Sequence, residues 1–412
     1  MSRVAVAIIG GGPSGLTAAA ALAPTVDGEV LVLERESHTG GIPRHSDHLG
    51  YGLRDLHRFV SGPTYARRLT AMAAEAGATL ETEAMVTGWA GERTLAITSP
   101  RGVRTVAADA VILATGARER PRPARLVPGD RPDGVFTTGQ LQNLVHLHHG
   151  RVGTRAVIVG AELVSWSAVL TLREAGCATV AMVSRHPRAE AYTAFRVAGR
   201  ALLAGPVLTN SRVVAVNGKG RVSSVTVERD GTRRDIACDT VVFTGDWIPD
   251  HELARTGGVE MDPGTRGPAV DAALRTSRPG VFAVGNLLHP VDTADGAALD
   301  GRHVAAAVRD WLRTGGTAEP VHSAAHIRAE APLAWVAPQR VSTAGGSAPR
   351  DDLLLWTDEY RRLPALRAVQ DGRVVGTART PWPAAPGRVY RAPWSLVAGA
   401  DPKGGEVTVS FA

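Results

Sequence analysis

The chain has 412 residues, a formal net charge of +6 and 44% apolar residues, enough for two or three globular domains with separate cores. Arginine supplies nearly all the positive charge, since Lys219 and Lys403 are the only lysines; its scatter argues against a nucleic-acid partner and leaves an acidic protein partner open. The cysteines Cys177 and Cys238 stand far apart, which excludes a disulfide framework or a cysteine-ligated iron–sulfur cluster within the chain.

In chain order, Val4 to Ile9 is an apolar, β-branched run that predicts a strand, followed by a glycine turn and a helix reaching Leu22. Because the strand starts so early, the sequence predicts no leader segment and a cytoplasmic location. No apolar stretch approaches the ~20 residues of a membrane span. The spacing Gly10-x-Gly12-x-x-Gly15 gives each glycine a separate task. Gly10 makes the tight turn, Gly12 lets backbone approach a pyrophosphate, and Gly15 lets helix pack on strand. Pro13 and Ser14 open the helix, whose N–H groups and dipole favour phosphate. A second strand, Val30 to Leu33, ends in Glu34, at the spacing of a carboxylate that accepts from a ribose hydroxyl, with Arg35 beside it. This pattern points to an adenine dinucleotide.

A connection rich in His and Gly follows, GGIPRHSDHLGYGL (Gly40 to Leu53), then a helix from Tyr65 to Ala76. Alternating segments from Ala84 to Val106, Val86 among them, predict a three-stranded excursion before the apolar strand Ala110 to Ala114 and its Thr115-Gly116 end. The cluster His146, His148 and His149 reads as the C-terminal cap region of a helix rather than a metal site. Ala156 to Arg185 repeats strand, turn, helix and strand, and further strands are expected near Val213 to Val216, Val222 to Val227 and Thr240 to Phe243. In this second turn only Gly160 survives; Glu162 and Ser165 replace the other glycines. A carboxylate there obstructs and repels a pyrophosphate, although Arg185 and Arg188 stand where readers of a 2′-phosphate would be. Pro279 to Asn286 predicts a strand and Asp295 to Trp311 a helix. From about Thr314 the chain turns to Pro, Gly, Trp and short strands such as Arg373 to Val375 and Glu406 to Val409.

Two glycine-turn units, the second inserted into the first, resemble flavoproteins with two dinucleotide-binding domains, the group that includes the pyridine nucleotide–disulfide reductases. The residues carrying the resemblance are the Gly10/Gly12/Gly15 turn, Glu34, Ala114-Thr115-Gly116, Thr244-Gly245-Asp246 and GVFAVGN. The resemblance implies an α/β fold in which an FAD-binding Rossmann-like domain (1–118, returning over 245–315) holds an inserted NAD(P)-binding-like domain (119–244), with a small β-rich domain over 316–412. It also implies FAD at the first site, with Gly41, Arg44, Val86, Gly285, Asn286, Asp295 and Gly296 joining the turn residues. The redox cysteines of disulfide reductases are missing, Ser46 standing where related chains carry one. The segments GGIPRHSDHLGYGLRDL, ATGARERP and GNLLHPVDTADGAALDG resemble the FAD subunits that accompany glycerol-3-phosphate-dehydrogenase-type proteins and, more distantly, subunits of heteromeric amine and opine oxidases and of hydrogen cyanide synthase.

Arg44, His45 and His48 are the candidate catalytic residues. A cation near the flavin N1–C2=O edge would stabilise the reduced ring, and a histidine could relay protons near neutral pH. N–H groups at Asp295-Gly296 are expected to face the pyrimidine oxygen, an arrangement compatible with Asp295 as the helix N-cap. The expected function is an FAD-dependent oxidoreductase subunit. It would oxidise a small amine, amino-acid or hydroxy substrate, or relay electrons from a partner protein subunit. The alternatives are a self-sufficient NAD(P)H-dependent FAD reductase and a non-catalytic nucleotide-holding subunit.

Overall fold

The N-terminal apolar run forms β1 (Ser2–Ile9) and the alanine-rich segment behind the glycine turn forms α1 (Pro13–Leu22). The structure is a computed structural model and describes residues 2–191, 193, 199–315, 324–341 and 346–412. After β2 (Val30–Leu33) comes a short hairpin, β3 (Leu49–Tyr51) with β4 (Val60–Ser61). Next are α2 (Gly62–Glu75), β5 (Thr79–Glu81), β6 (Met85–Trp89), β7 (Thr94–Ser99) and β8 (Gly102–Leu113). Helix α2 starts three positions earlier than the expected Tyr65, because Pro63 fits the first helical turn, where its missing N–H costs nothing.

The first sheet runs β5-β2-β1-β8-β7-β6. Its β8 corrects the expectation of two strands. The last strand of the excursion and the apolar strand at Ala110 are one 12-residue strand. Gly102 to Ala107 pairs antiparallel with β7, while Val111 to Leu113 turns the same edge to a later parallel strand. The change from half-exposed to fully buried positions along β8 marks where it passes under the helices.

The second unit contains β9 (Ala117–Glu119), β10 (Val135–Thr137), α3 (Thr138–Gln142), β11 (Arg155–Val159), α4 (Leu163–Glu174), β12 (Ala178–Val183) and β13 (Val207–Leu208). An antiparallel meander follows, β14 (Arg212–Asn217), β15 (Ser224–Arg229) and β16 (Thr232–Ala237), before β17 (Thr240–Phe243). The parallel sheet is ordered β10-β17-β11-β12-β13. The polar β16 shows no apolar alternation, because almost every residue in it faces solvent. The chain leaves this unit through β18 (Trp247–Pro249), which pairs with β9.

Beyond α5 (Glu252–Thr256), β19 (Val281–Ala283) joins β8, and α6 (Ala294–Arg313) lies on α1. A side chain at Gly301 would collide with the Ser14 carbonyl, so the two backbones touch. This brings two helix N-termini to one end of the first sheet. The last segment holds β20 (Ile327–Ala329), β21 (Leu333–Ala337), β22 (Asp352–Thr357), β23 (Ala365–Gln370), β24 (Arg373–Arg379), β25 (Tyr390–Pro393) and β26 (Val407–Phe411). They form sheets β20-β26-β23-β24 and β21-β22-β25, whose apolar faces share one core. The expected junction at residue 316 lies outside the described residues. Among the described residues no helix is long and apolar enough to cross a membrane.

Candidate functional site

The glycine turn is a cradle that side chains would fill. A Cβ at Gly15 would strike the Gly10 carbonyl, whereas one at Gly12 would meet nothing within 4 Å. Gly12 is the N-cap of α1 without a side-chain cap, so the first N–H groups face open space. Gly41, at φ 61°, adopts a conformation that side chains resist, and a Cβ there would lie 3.0 Å from the Gly12 Cα. Pro13 and Ser14 lie in the first turn, and Ser14 Oγ sits 2.6 Å from where a Gly285 Cβ would be. Glu34 is buried and accepts from the N–H groups of Gly11 (2.8 Å) and Glu36 (2.9 Å), which leaves further lone pairs on both oxygens. Arg35 pairs with Asp250 (2.9 Å), and the Asp250 carbonyl accepts from Thr115 Oγ1 (2.7 Å), which draws Ala114-Thr115-Gly116 toward the same groove. The Ala84 N–H donates to the Glu34 carbonyl (2.8 Å), two positions before Val86 of β6.

At the far end, Asn286 donates through Nδ2 to the Asp292 carbonyl (3.0 Å), while its Oδ1 is buried without a partner. An orphaned acceptor beside an open anion cradle fits a cofactor that brings both hydroxyls and a pyrophosphate, as FAD does. Asp295 differs from expectation. The N-cap of α6 is Thr293, and Asp295, inside the first turn, accepts from the Gly296 N–H (2.9 Å) and from the Arg54 N–H (3.1 Å). The Gly296 N–H is therefore committed to a carboxylate, not presented to a pyrimidine oxygen.

The three candidate catalytic residues also behave differently from expectation. Arg44 donates to Glu36 (2.7 Å) and to the His38 carbonyl (2.9 Å), which draws its guanidinium toward the loop after Glu34 rather than toward Asn286 and Asp295. His45 is only 7% exposed, and burial pushes its imidazole down from 6.5 to about 4. It stays neutral near pH 7 and cannot change charge there. His48 donates from Nδ1 to the Leu49 carbonyl (2.8 Å), so Nε2 accepts from Ser167 (2.7 Å) and Ser46 (3.1 Å); burial lowers its pKa as well. Gln142, absent from the expected site residues, donates to both serines (2.6 Å to Ser167, 3.3 Å to Ser46). Its signal was a polar TTGQLQN run on a short helix that carries a Thr137–Gln140 capping box. The cluster His48, Ser46, Gln142 and Ser167 ties the first unit to α4 of the second.

His45 gives a testable pH dependence. Between pH 6.5 and about 4 the unfolded chain takes up a proton that the folded one refuses, so stability falls as pH drops through this window, by ~3 kcal/mol in all. Replacing His45 with Gln is expected to remove that slope when urea midpoints of variant and parent are compared pH by pH. Equal slopes would contradict the assignment. Glu119 and Glu190 tilt both curves the opposite way, being held protonated up to about 7 by burial.

The second cleft is filled from within. Glu162 caps α4 at the place of the missing glycine, and a Cβ at Gly160 would lie 2.6 Å from its carboxylate. One oxygen each of Glu162, Glu119 and Glu190 is buried without a partner. Arg125 covers the strand end by donating to the carbonyls of Thr244 (2.8 Å) and Gly245 (2.6 Å). From the C-terminal segment, Gly387 packs so closely that a Cβ would come within 2.5 Å of the Glu190 Cβ and 2.8 Å of the Glu162 Cβ. Arg188 stacks over Tyr360 at 5.0 Å, and Arg185 lies against His186 (3.4 Å). The histidine cluster ends a π-helical turn, with His146 bonded to Thr171 of α4 (3.2 Å) and His149 at φ 48°.

A family model described as pyridine nucleotide-disulphide oxidoreductase matches residues 4–306. The benzene 1,2-dioxygenase system ferredoxin–NAD(+) reductase subunit of Pseudomonas putida is 30% identical over 294 residues, 68% of this chain and 66% of that one. An opine oxidase subunit of Agrobacterium tumefaciens (strain Ach5) is 26% identical over 332 residues, 72% of this chain and 62% of that one. The chain thus spans just under two thirds of each of these two curated relatives. Thioredoxin reductase of T. acidophilum superposes with a TM-score of 0.63 at 22% identity, over 75% of this chain and 99% of that one, a likeness of fold.

Proposed function

The chain belongs to the pyridine nucleotide-disulphide oxidoreductase family; we propose that it is an FAD-dependent oxidoreductase that works as one subunit of a heteromeric dehydrogenase or oxidase. It takes electrons from a small amine, amino-acid or hydroxy substrate, or from a partner flavoprotein, and passes them on. One contrast carries this reading: the first nucleotide turn is open at Gly12, and the second is filled by Glu162 and covered by Gly387. FAD, when bound, supplies the two-electron centre. We assign Gly10, Gly12, Pro13, Ser14, Gly15 and Gly41 to its pyrophosphate, Glu34, Arg35 and Val86 to its adenosine end, and Ala114, Thr115, Gly116, Gly285, Asn286 and Asp295 to its flavin end. Residues 1–118 and 245–315 form the FAD domain of this proposal, 119–244 the inserted domain and 316–412 the β-rich domain.

Two names support a multicomponent setting, since one relative is a reductase component of a dioxygenase system and another is one of the chains of an opine oxidase. The GGIPRHSDHLGYGL segment, with its likeness to FAD subunits accompanying glycerol-3-phosphate-dehydrogenase-type proteins and to those of hydrogen cyanide synthase, belongs to the same reading. A second reading, an NAD(P)H-dependent reductase, draws on the first relative's name and on Arg188, but that guanidinium is stacked on Tyr360.

Anaerobic mixing of the purified yellow protein with secondary amines, amino acids and hydroxy acids tests the proposal through the flavin's visible absorbance. The expected result is bleaching by one class, with colour restored by ferricyanide. A photoreduced flavin that ferricyanide cannot reoxidise would instead place the chain among non-catalytic, nucleotide-holding subunits.

A further inference from the structure

Four large apolar side chains between residues 42 and 59 lie exposed beside the flavin end: Ile42 (49% exposed), Leu49 (62%), Leu53 (59%) and Phe59 (62%). Their grouping follows from the hairpin. Leu49 pairs with Ser61 and Tyr51 with Val60, while the Gly52 carbonyl accepts from both Leu56 and Arg58, so Leu53 and Phe59 flank one tight loop. The Pro43 and Ser46 carbonyls lie against Gly62, which brings the Ile42 turn to the hairpin's base.

The loop is held firmly at that base. Asp55 is buried and accepts from the Tyr65 hydroxyl (2.6 Å), Arg54 donates its N–H to Asp295 (3.1 Å), and the Arg54 guanidinium reaches Thr293 (3.0 Å). The apolar tips therefore stand on a scaffold bonded directly to the start of α6, where the flavin end lies. Order without burial is costly for such side chains unless another surface covers them.

The charges around the patch indicate what covers it. Arg54, Arg58 and Arg67 are exposed, and Asp47 is the only exposed acid between residues 42 and 68. We propose that this hairpin is the docking surface for an acidic redox protein, which seats an apolar centre on Leu53 and Phe59 and a carboxylate rim on Arg58 and Arg67. An interface of this form combines an apolar core with charged steering at its edge. Its position serves electron exchange with the flavin, a benefit that a lipid surface or a second copy of this chain would not draw from it. The inference rests on the FAD reading above and names its partner.

The test uses two protein acceptors that take electrons downhill from a flavin, the acidic plastocyanin and the basic cytochrome c, with ferricyanide as a small control. Each photoreduced FAD gives up two electrons, reducing two plastocyanins from Cu(II) to Cu(I), and releases its proton to solvent. At low salt, plastocyanin should reoxidise the flavin at least ~10-fold faster than cytochrome c, an advantage that vanishes in high salt. Arg58→Glu and Phe59→Asp should each cut the plastocyanin rate by ~10-fold at low salt and leave unchanged the ferricyanide rate read in high salt, where that anion's charge is screened. If both variants match the parent with plastocyanin while ferricyanide works, the docking surface is wrong and the FAD reading survives. If the protein holds no flavin, or ferricyanide fails, both fall. Binding of the parent, but not Phe59→Asp, to anionic vesicles, or a Phe59-dependent dimer in sedimentation, would overturn the proposal in favour of a membrane or a second copy.

Discussion

Gly12→Glu is expected to yield a folded, colourless protein. In the parent structure nothing lies within 4 Å of a Cβ at this position, so the free protein accommodates the substitution. A carboxylate at the start of α1 even complements the helix dipole, by ~0.3–1 kcal/mol. The same carboxylate faces the pyrophosphate, where one like-charge pair at about 4 Å costs ~4 kcal/mol in a partly screened site. That corresponds to a loss of FAD affinity of about 1,000-fold. Flavin content after purification and a circular dichroism spectrum read the two halves of the prediction separately. Gly15→Ala is the contrast, since its methyl would strike the Gly10 carbonyl and damage the fold itself. A Gly12→Glu protein that purifies as yellow as the parent would remove the basis of the FAD assignment.

NADH and NADPH are expected to leave the flavin oxidised, with dissociation constants weaker than about 1 mM. The physical reasons are independent of each other. Glu162 places a carboxylate over Gly160, and the Gly387 segment packs on the side-chain stems of Glu162 and Glu190. Burial holds Glu119 and Glu190 protonated up to about 7, so lowering the pH to 6 removes the charge of these two carboxyls but leaves the obstruction in place. The failure should therefore persist from about pH 6 to 8. Stopped-flow mixing under argon checks it, and rapid stoichiometric bleaching by either nucleotide would establish the reductase reading instead.

Legibility in the sequence differed sharply between the two ends of the nucleotide groove. Gly10, Gly12, Gly15 and Glu34 could be read directly because backbone geometry sets their requirements locally: a tight turn, an open approach, a helix packed on a strand. The long apolar strands and the helices behind the two turns were legible for the same reason, whereas short pairs such as β9 with β18 and the exposed β16 show no apolar alternation. The surroundings of Arg44 and His45 were not legible, because residue type does not reveal the neighbour. Glu36 claims the arginine, and burial beneath the second unit claims the histidine's proton. The capping-box helix that carries Gln142 is legible, but the residue's role is not, since it depends on Ser46, which precedes it by 96 positions.

By itself, the sequence determined that the chain has one intact dinucleotide turn and one broken copy, because both are statements about a few consecutive residues. Only the tertiary structure decided what the broken copy became. Gly387 and Tyr360 come from the far end of the chain to cover Glu162 and Arg188. Likewise, Arg54 joins the exposed hairpin to Asp295 across 241 positions. Such contacts arise when independently folded surfaces pack, and their partners are chosen by shape and charge in three dimensions, which no local pattern encodes.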